Sequence, residues 1–240
     1  MRVGILGGTG PAGRSLAVRL ASVGVDVTIG SRSAERAKEG AAELAALWPG
    51  RDLALDGAGN DGAAQADLVV VATPWDSAPA TAAAVAPHLA GKVVVSMANA
   101  LAKVGRELQP LVPPRGSVAA AVQAEVPAAL VAGALHHVPA RELGDIDHPV
   151  ESDVLVCSDH PEALAAATEL VARIPGLRPL DAGSLANASA IEAFTAVILN
   201  LNMRYRVRAA IRMIGVEPAA SPAPAAPPAP AAPPAPRPPT

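Results

Sequence analysis

The stretch MRVGILGGTGPAGR, residues 1–14, decides the fold of this chain. Its apolar run Arg2 to Leu6 predicts a short β-strand, and the amphipathic run that follows the stretch predicts a helix. Between them, Gly8, Gly10 and Gly13 have the GxGxxG spacing. This spacing lets the chain turn sharply, lets the backbone approach a pyrophosphate, and lets the helix pack closely on the strand. The order of strand, glycine-rich turn and helix therefore predicts the first unit of a Rossmann-type, dinucleotide-binding α/β fold.

The start of the predicted helix is suited to bind a diphosphate. Pro11 occupies the first helical turn, where its missing N–H costs nothing. From Pro11 to Gly13 the helix offers free N–H groups and the positive end of its dipole to an anion. A glycine-rich turn can instead serve a purely structural purpose, but the strand before it and the helix after it favour cofactor binding.

Length and composition exclude several classes of protein. A chain of 240 residues suits one α/β unit with a small appendage, or two lobes. Its net charge of −3 gives no general attraction to nucleic acid, and its 2% aromatic content leaves few surfaces on which bases could stack. We see neither an apolar run long enough to cross a bilayer nor a secretory segment before the first strand, so we expect a cytoplasmic protein with no membrane partner. The single cysteine, Cys157, is expected to be a small buried side chain.

The end of the second predicted strand, Val25 to Ile29, indicates which nicotinamide cofactor binds. Chains that bind NAD usually carry Asp or Glu here, whereas this chain has Ser31 and Arg32, with Arg36 just beyond in a predicted helix over residues 34–47. Guanidinium groups hold phosphate through paired N–H donors, so this segment predicts NADP(H). The alternative is that both arginines merely solvate a helix start. It is less favoured because cations there oppose the helix dipole.

Strands and helices continue to alternate, which predicts a doubly wound, mainly parallel sheet with a small C-terminal α/β extension. Further strands are predicted at 53–55, 66–73, 92–96, 130–135, 153–157 and 177–180, helices at 77–89, 162–173 and 187–214, and a Gly/Asp-rich loop at 56–62. Ligands bind outside the carboxyl ends of such strands, so the strand ends should surround one cofactor. The candidate cofactor-binding residues there are Gly8, Thr9, Gly10, Pro11, Ala12, Gly13, Ser31, Arg32, Arg36, Thr73, Pro74, Trp75, Ala98, Asn99, His136, Val138, Pro139 and Ala140.

Two of these candidates have a plain structural alternative. Trp75 could form a wall beside the nicotinamide ribose, or it could simply pack. His136 and His137 would point to opposite faces of a strand, so both cannot serve one site. His136 is a candidate hydrogen-bond donor to a second ring, with a core histidine as the alternative. No metal site is predicted, since the other histidines have no recognisable ligand spacing.

The predicted C-terminal helix has one apolar face, suited to dock on the sheet or on a second subunit. Its members are Ile191, Phe194, Ile198, Leu201 and Tyr205. Arg204, Arg208 and Arg212 would form one stripe, which either attracts an anionic ligand or, as we favour, is a solvated face that suits the helix C-terminus. We divide the chain into a nucleotide-binding domain (1–140), a small C-terminal lobe (141–216) and a disordered Ala/Pro tail (217–240).

An NADP(H) site implies hydride transfer, and the catalytic groups of two common classes are missing. The only tyrosine, Tyr205, is not followed by the Tyr-x-x-x-Lys spacing of short-chain dehydrogenases, and the chain lacks length for the helical domain of β-hydroxyacid dehydrogenases. An enzyme without an acid or base suits an acceptor that takes hydride directly. Two flat rings held roughly 3–3.5 Å apart need mainly orientation and exclusion of water. We therefore predict no catalytic side chain.

Up to the tail, the sequence resembles the NADPH-dependent F420 reductases. The shared motifs are MRVGILGGTGPAG (1–13), GSRSAER (30–36), PW (74–75), GALHHVPA (133–140) and GLRPLDAGSL (176–185), the last followed by IEAFTAVILNLN. The first two motifs also occur in many other NADP-binding proteins, whereas the last two are much more restricted.

The resemblance implies reversible hydride transfer between NADPH and the 8-hydroxy-5-deazaflavin coenzyme F420, in a homodimeric cytoplasmic enzyme. It implies that Thr9 to Ala12 hold the pyrophosphate, that Ser31, Arg32 and Arg36 hold the 2′-phosphate, that Pro74 and Trp75 lie along the nicotinamide half, and that His136 to Ala140 border both rings. Thr195 matches a polar position on the deazaflavin side. Ser189 and Ala193 differ from the larger basic residue and the hydroxyl of other members.

Two other functions remain open from the sequence. One is an NADPH oxidoreductase that passes electrons to flavin or ferric iron, as the related cytosolic domains of membrane metalloreductases do. The other is a non-catalytic NADP(H)-sensing protein that uses its long C-terminal helix to engage a partner.

Overall fold

The computed structural model describes residues 1–216, so the predicted Ala/Pro tail lies outside the described residues. Its strands are β1 (Arg2–Leu6), β2 (Asp26–Ser31), β3 (Leu55–Gly59), β4 (Leu68–Val71), β5 (Val93–Ser96), β6 (Leu101–Val104), β7 (Glu107–Pro110), β8 (Leu130–Gly133), β9 (Ser152–Ser158) and β10 (Leu177–Asp181). Its helices are α1 (Pro11–Ser22), α2 (Ala34–Ala46), α3 (Asn60–Ala63), α4 (Ala78–Ala84), α5 (Ala86–Leu89), α6 (Val118–Glu125), α7 (Ala140–Gly144), α8 (Pro161–Ala172) and α9 (Ala188–Tyr205).

The larger of the two sheets has eight strands in the order β10, β9, β8, β5, β4, β1, β2, β3 within the described residues. Neighbouring strands are parallel except β8 and β9, which are antiparallel. From β1 the chain builds outward to β3 on one side, and from β4 it builds outward on the other. The strand order therefore reverses between β1 and β4, which is where a doubly wound sheet binds ligands. The predicted Rossmann-type fold is confirmed.

The central strands are buried on both faces, as their uninterrupted apolar sequence requires. In β4, Val70 belongs to the core on one side of the sheet, whereas Val69 and Val71 belong to the core on the other. This alternation follows from the two-residue period of a strand. No helix within residues 1–216 combines the length and apolar character needed to cross a membrane.

The predicted C-terminal helix is too long by nine residues. α9 ends at Tyr205 because Arg206 adopts the left-handed conformation, with φ of 56°, and the chain turns back. The stripe predicted for Arg204, Arg208 and Arg212 is therefore wrong, since only the first of them lies on the helix. They pair instead with carboxylates of three different segments, Glu107, Glu142 and Asp153 respectively.

The apolar face predicted for this helix is also divided. Ile191 and Ile198 are buried, whereas Phe194, Leu201 and Tyr205 are exposed. The helix thus has apolar side chains on both its inner and its outer sides.

Other boundaries differ for local reasons. The predicted loop 56–62 is occupied by most of β3 and by α3. The helix predicted at 77–89 is split into α4 and α5, since Pro87 has no N–H to donate and its ring would clash with the carbonyl of Ala83. The hairpin of β6 and β7 and helix α6 were not predicted at all. His136 and His137 lie in a turn after β8, so the argument that they alternate on a strand is wrong.

Candidate functional site

A cleft of about 980 Å³ lies along the carboxyl ends of the central strands. Most of its lining comes from the ends of β1, β2, β4 and β5, and the helices α2, α3, α4 and α7 and the strand β6 add one residue each. The lining residues are Gly7, Thr9, Gly10, Pro11, Ala12, Ser31, Arg32, Ser33, Arg36, Asn60, Ala72, Thr73, Pro74, Trp75, Ser77, Thr81, Met97, Ala98, Asn99, Leu101 and Ala140. The cleft therefore brings together candidates from five predicted strand ends.

The glycine-rich turn forms one wall of this cleft. A Cβ on Gly13 would lie 2.7 Å from the Cα of Gly8, so these two glycines allow α1 to pack against the turn. Gly7 has φ of 71°, and a Cβ there would lie 2.4 Å from Thr73. Gly8 and Gly13 therefore act through close packing, and neither lines the cleft.

The first turn of α1 leaves backbone donors available. The N–H of Arg14 makes the first bond of the helix, to the carbonyl of Gly10 at 2.9 Å. The N–H groups of Ala12 and Gly13 precede it and have no partner within the helix. With the positive end of the helix dipole, they form an anion-binding position next to the cleft.

The end of β2 contributes the charge of the cleft. The Ser33 hydroxyl caps α2 by accepting a hydrogen bond from the N–H of Arg36 at 3.3 Å, which fixes how the helix starts. Arg32 and Arg36 both line the cleft, and neither is paired with a carboxylate within residues 1–216. The two guanidinium groups are thus available to an anion.

The ends of β4 and β5 form the less polar part of the cleft. Trp75 lines it and also packs against the core under α4, so the cofactor and packing interpretations of this residue are compatible. The Thr73 hydroxyl is buried and has no hydrogen-bond partner among the described residues. Pro74, Ala98 and Asn99 complete this wall.

A sequence model of the family described as NADP oxidoreductase, coenzyme F420-dependent, matches residues 2–100. An F420-dependent NADP reductase of Methanothermobacter thermautotrophicus is 36% identical over 215 residues, which cover 88% of this chain and 93% of that protein. The chain belongs to this reductase family.

Two further relatives agree with this membership. An F420-dependent NADP reductase of Methanocaldococcus jannaschii is 35% identical over 223 residues, covering 90% of this chain and all of that protein. A crystal structure from Arthrobacter sp. FB24, given provisionally as an F420-dependent NADP reductase, has a TM-score of 0.69 and 29% identity, covering 86% of this chain and 95% of its own. The family match at 2–100 includes the glycine-rich turn, both arginines and Trp75.

Four of the predicted cofactor-binding residues do not line the cleft, namely His136, Val138, Pro139 and Thr195. His136, Val138 and Thr195 are buried. Burial lowers the pKa of His136 to about 3, so its ring is neutral at physiological pH. Direct contact of these four residues with a cofactor remains a prediction.

Glu192 is a functional candidate that the sequence reasoning missed. It is 4% exposed, and its carboxylate accepts hydrogen bonds from the N–H groups of Val118 at 2.8 Å and Ala119 at 3.0 Å, at the start of α6. One carboxylate oxygen lies 3.9 Å from Nε2 of His136. Burial raises the pKa of Glu192 to about 7. The available signal was its spacing, since Glu192 stands three residues before the candidate Thr195 and shares one side of the helix with it.

Asn60 was also missed. Its side-chain oxygen lies 3.5 Å from the N–H of Gly7, and the residue lines the cleft. The segment 56–62 was predicted to be a loop, so Asn60 was not expected to follow a strand of the sheet.

Proposed function

We propose that this protein transfers hydride between NADPH and the deazaflavin coenzyme F420. The observation that carries the proposal is the cleft at the strand-order reversal. One end of it has two guanidinium groups that pair with no carboxylate within residues 1–216, and the other end has a less polar wall. Membership in a family whose relatives are F420-dependent NADP reductases supports it.

The residues present fit NADP(H). The segment from Thr9 to Ala12 at the start of α1 would hold the pyrophosphate, and Ser31, Arg32 and Arg36 would hold the 2′-phosphate. Thr73 lines the cleft at the end of β4, which is next to β1 in the sheet, so the nicotinamide half would lie beside it. The part of the cofactor remote from the phosphates would therefore reach the ends of β4 and β5.

When bound, NADPH supplies a hydride with both its electrons, the oxidised deazaflavin accepts it, and one proton from solvent balances the reduced product. The cleft lining includes no Asp, Glu, His, Lys, Cys or Tyr among the described residues. The protein's task is therefore to orient two rings and to exclude water, which Pro74, Trp75, Met97 and Leu101 are suited to do.

A spectrophotometric assay tests the proposal. The full chain is mixed with NADPH and F420 and the loss of deazaflavin absorbance is followed, with NADH, free flavin and ferric iron in parallel reactions. We expect turnover with NADPH and F420. Turnover with flavin or ferric iron but not F420, or tight NADPH binding with no turnover, would contradict it.

We also propose that two copies associate through the outer side of α9. Phe194, Val197, Leu201 and Tyr205 recur at helical spacing on this side and are 43%, 47%, 39% and 65% exposed. An exposed apolar stripe of this length on one helix is typical of a protein interface. The self-association of such a stripe gives a symmetric dimer in which both subunits use the same surface.

A further inference from the structure

Asn99 lies in the cleft wall, three residues after the end of β5, and its side-chain amide is held from two sides. Its Nδ2 donates a hydrogen bond to the backbone carbonyl of His136 at 2.6 Å. Its Oδ1 accepts a hydrogen bond from the Thr195 hydroxyl at 3.2 Å. The amide is thus attached both to the turn after β8 and to α9.

The chemistry of these partners fixes which way the amide points. A backbone carbonyl can only accept a hydrogen bond, so the amide atom that faces His136 must be nitrogen. The Thr195 hydroxyl must then face the amide oxygen and donate to it. The reversed orientation would leave two oxygens facing each other at 2.6 Å. Each half of an amide has two hydrogen-bonding positions, so one N–H and one lone pair have no partner within residues 1–216 and can serve a ligand.

Thr195 itself is 3% exposed and does not line the cleft. Its hydrogen bond to Asn99 connects it to the cleft lining, so it can influence a ligand there by orienting that amide. One turn earlier on α9, the Glu192 carboxylate is fixed by the two N–H groups of α6 and approaches the ring of His136. The helix thus supplies one partner of the Asn99 amide, Thr195, and lies beside the ring of His136, whose carbonyl is the other partner.

We infer that Thr195 is a positioning residue, and that the amide it orients, Asn99, recognises a carboxamide or imide group on a ring bound at this end of the cleft. Such a group has a carbonyl for the free N–H and an N–H for the free lone pair. Three strand spacings, about 14 Å, separate β2 from β5, so this end is remote from Arg32. The inference rests on the proposed function, in which the nicotinamide carboxamide and the deazaflavin imide both have this chemistry.

The test compares Thr195→Val, which keeps the shape and loses the donor, with Thr195→Ser, which keeps the donor. For each variant we would measure the Kd of NADPH, the Kd of 2′,5′-ADP, which lacks the nicotinamide, and the KM for F420. We expect Thr195→Val to raise the Kd of NADPH or the KM for F420 about tenfold while 2′,5′-ADP binds as before. Thr195→Ser should stay within about threefold of the parent protein.

The two arms identify the ring. A higher Kd of NADPH with an unchanged KM for F420 assigns Asn99 to the nicotinamide. A higher KM for F420 with an unchanged Kd of NADPH assigns it to the deazaflavin. Unchanged values for both ligands, or an equal loss of 2′,5′-ADP binding, would overturn the inference. The parent protein could fail to reduce F420 while Thr195→Val still raises the Kd of NADPH and leaves the Kd of 2′,5′-ADP unchanged. In that case the inference survives and the proposed function fails.

Discussion

At the scale of single residues, Arg32 decides between the two nicotinamide cofactors. We expect Arg32→Ala to weaken NADPH binding by about 1.5–3 kcal/mol, the contribution of a hydrogen bond to a charged group, and to leave NADH binding nearly unchanged. Fluorescence titration of both nucleotides measures this. Arg2→Ala is a matched control, since Arg2 pairs with Asp67 at the start of β1 and is not part of the cleft lining. Equal losses for NADPH and NADH would show that Arg32 has a structural role.

Glu192 makes the stability of the protein depend on pH. Burial raises its pKa from 4.5 to about 7, so the folded protein retains a proton that the unfolded chain releases. The stabilisation is fully present below pH 4.5 and is lost as the pH rises through 7, up to about 3 kcal/mol. The lowered pKa of His136 acts in the opposite sense at acidic pH, because the unfolded chain takes up that proton first.

Comparison with Glu192→Gln isolates this effect. We expect the difference in unfolding free energy between the parent protein and the variant to fall by up to about 3 kcal/mol from pH 5 to pH 8. Urea denaturation at both pH values measures it, and His136 contributes equally to both proteins. A difference that stays constant with pH would show that Glu192 is ionised throughout this range.

At the scale of elements, Arg19 holds α7 in place. Its buried guanidinium donates to the backbone carbonyls of Glu142, Leu143, Asp145 and His148. The first residue of α7, Ala140, lines the cleft, so this anchoring positions part of the site.

We expect Arg19→Met to lower the unfolding free energy by about 3 kcal/mol, because it leaves several buried carbonyls without donors. Urea denaturation measures this loss. The control is Arg173→Met, since Arg173 is exposed and pairs only with Glu169 on α8 among the contacts described. It should change stability by less than about 0.5 kcal/mol. Equal effects would show that Arg19 contributes only surface electrostatics.

Some of the strands and helices could be predicted from the sequence alone, and others could not. The strand, turn and helix at residues 1–22 follow from local rules, since the glycine spacing and Pro11 both act within the segment itself. β3 does not, because Gly57 within it is explained by the packing of α2 rather than by a turn: a Cβ there would lie 2.2 Å from Ala37. The end of α9 was missed because Arg206 takes a conformation that usually marks glycine or asparagine.

In the candidate site, too, some features could be predicted from the sequence and others could not. Arg32, Arg36 and Trp75 were predictable because they lie within five residues of the ends of strands that must meet. The support of Asn99 by Thr195 was not, since it joins residues 96 positions apart in the chain. Only the packing of α9 against the strand ends brings them together.

At the scale of the whole molecule, β9 and β10 of the proposed C-terminal lobe extend the same sheet as the nucleotide-binding strands. Buried Asp153 on β9 binds Arg178 on β10, and the segment after α9 returns to it through Arg212. The Arg178 guanidinium lowers the pKa of Asp153 to about 2. The C-terminal segment is thereby held on this side of the sheet, and the outer side of α9 stays exposed.

This exposure leads to a prediction about assembly. We expect the parent protein to sediment as a dimer and Val197→Asp to sediment as a monomer, because the variant places a charge in the apolar stripe of α9. Leu47→Asp is the control, since Leu47 is equally apolar and 63% exposed but lies at the end of α2. Sedimentation velocity measures all three. A monomeric parent protein, or a Val197→Asp variant that remains dimeric, would contradict the interface.

The most direct test of the account is a crystal structure of the protein with NADP⁺ and F420 bound together. The account predicts that the nucleotide lies across the carboxyl ends of β2, β1 and β4, with its 2′-phosphate on Arg32 and Arg36 and its nicotinamide ring stacked against the deazaflavin. A nucleotide bound elsewhere, or one bound with its nicotinamide at the arginines, would contradict it.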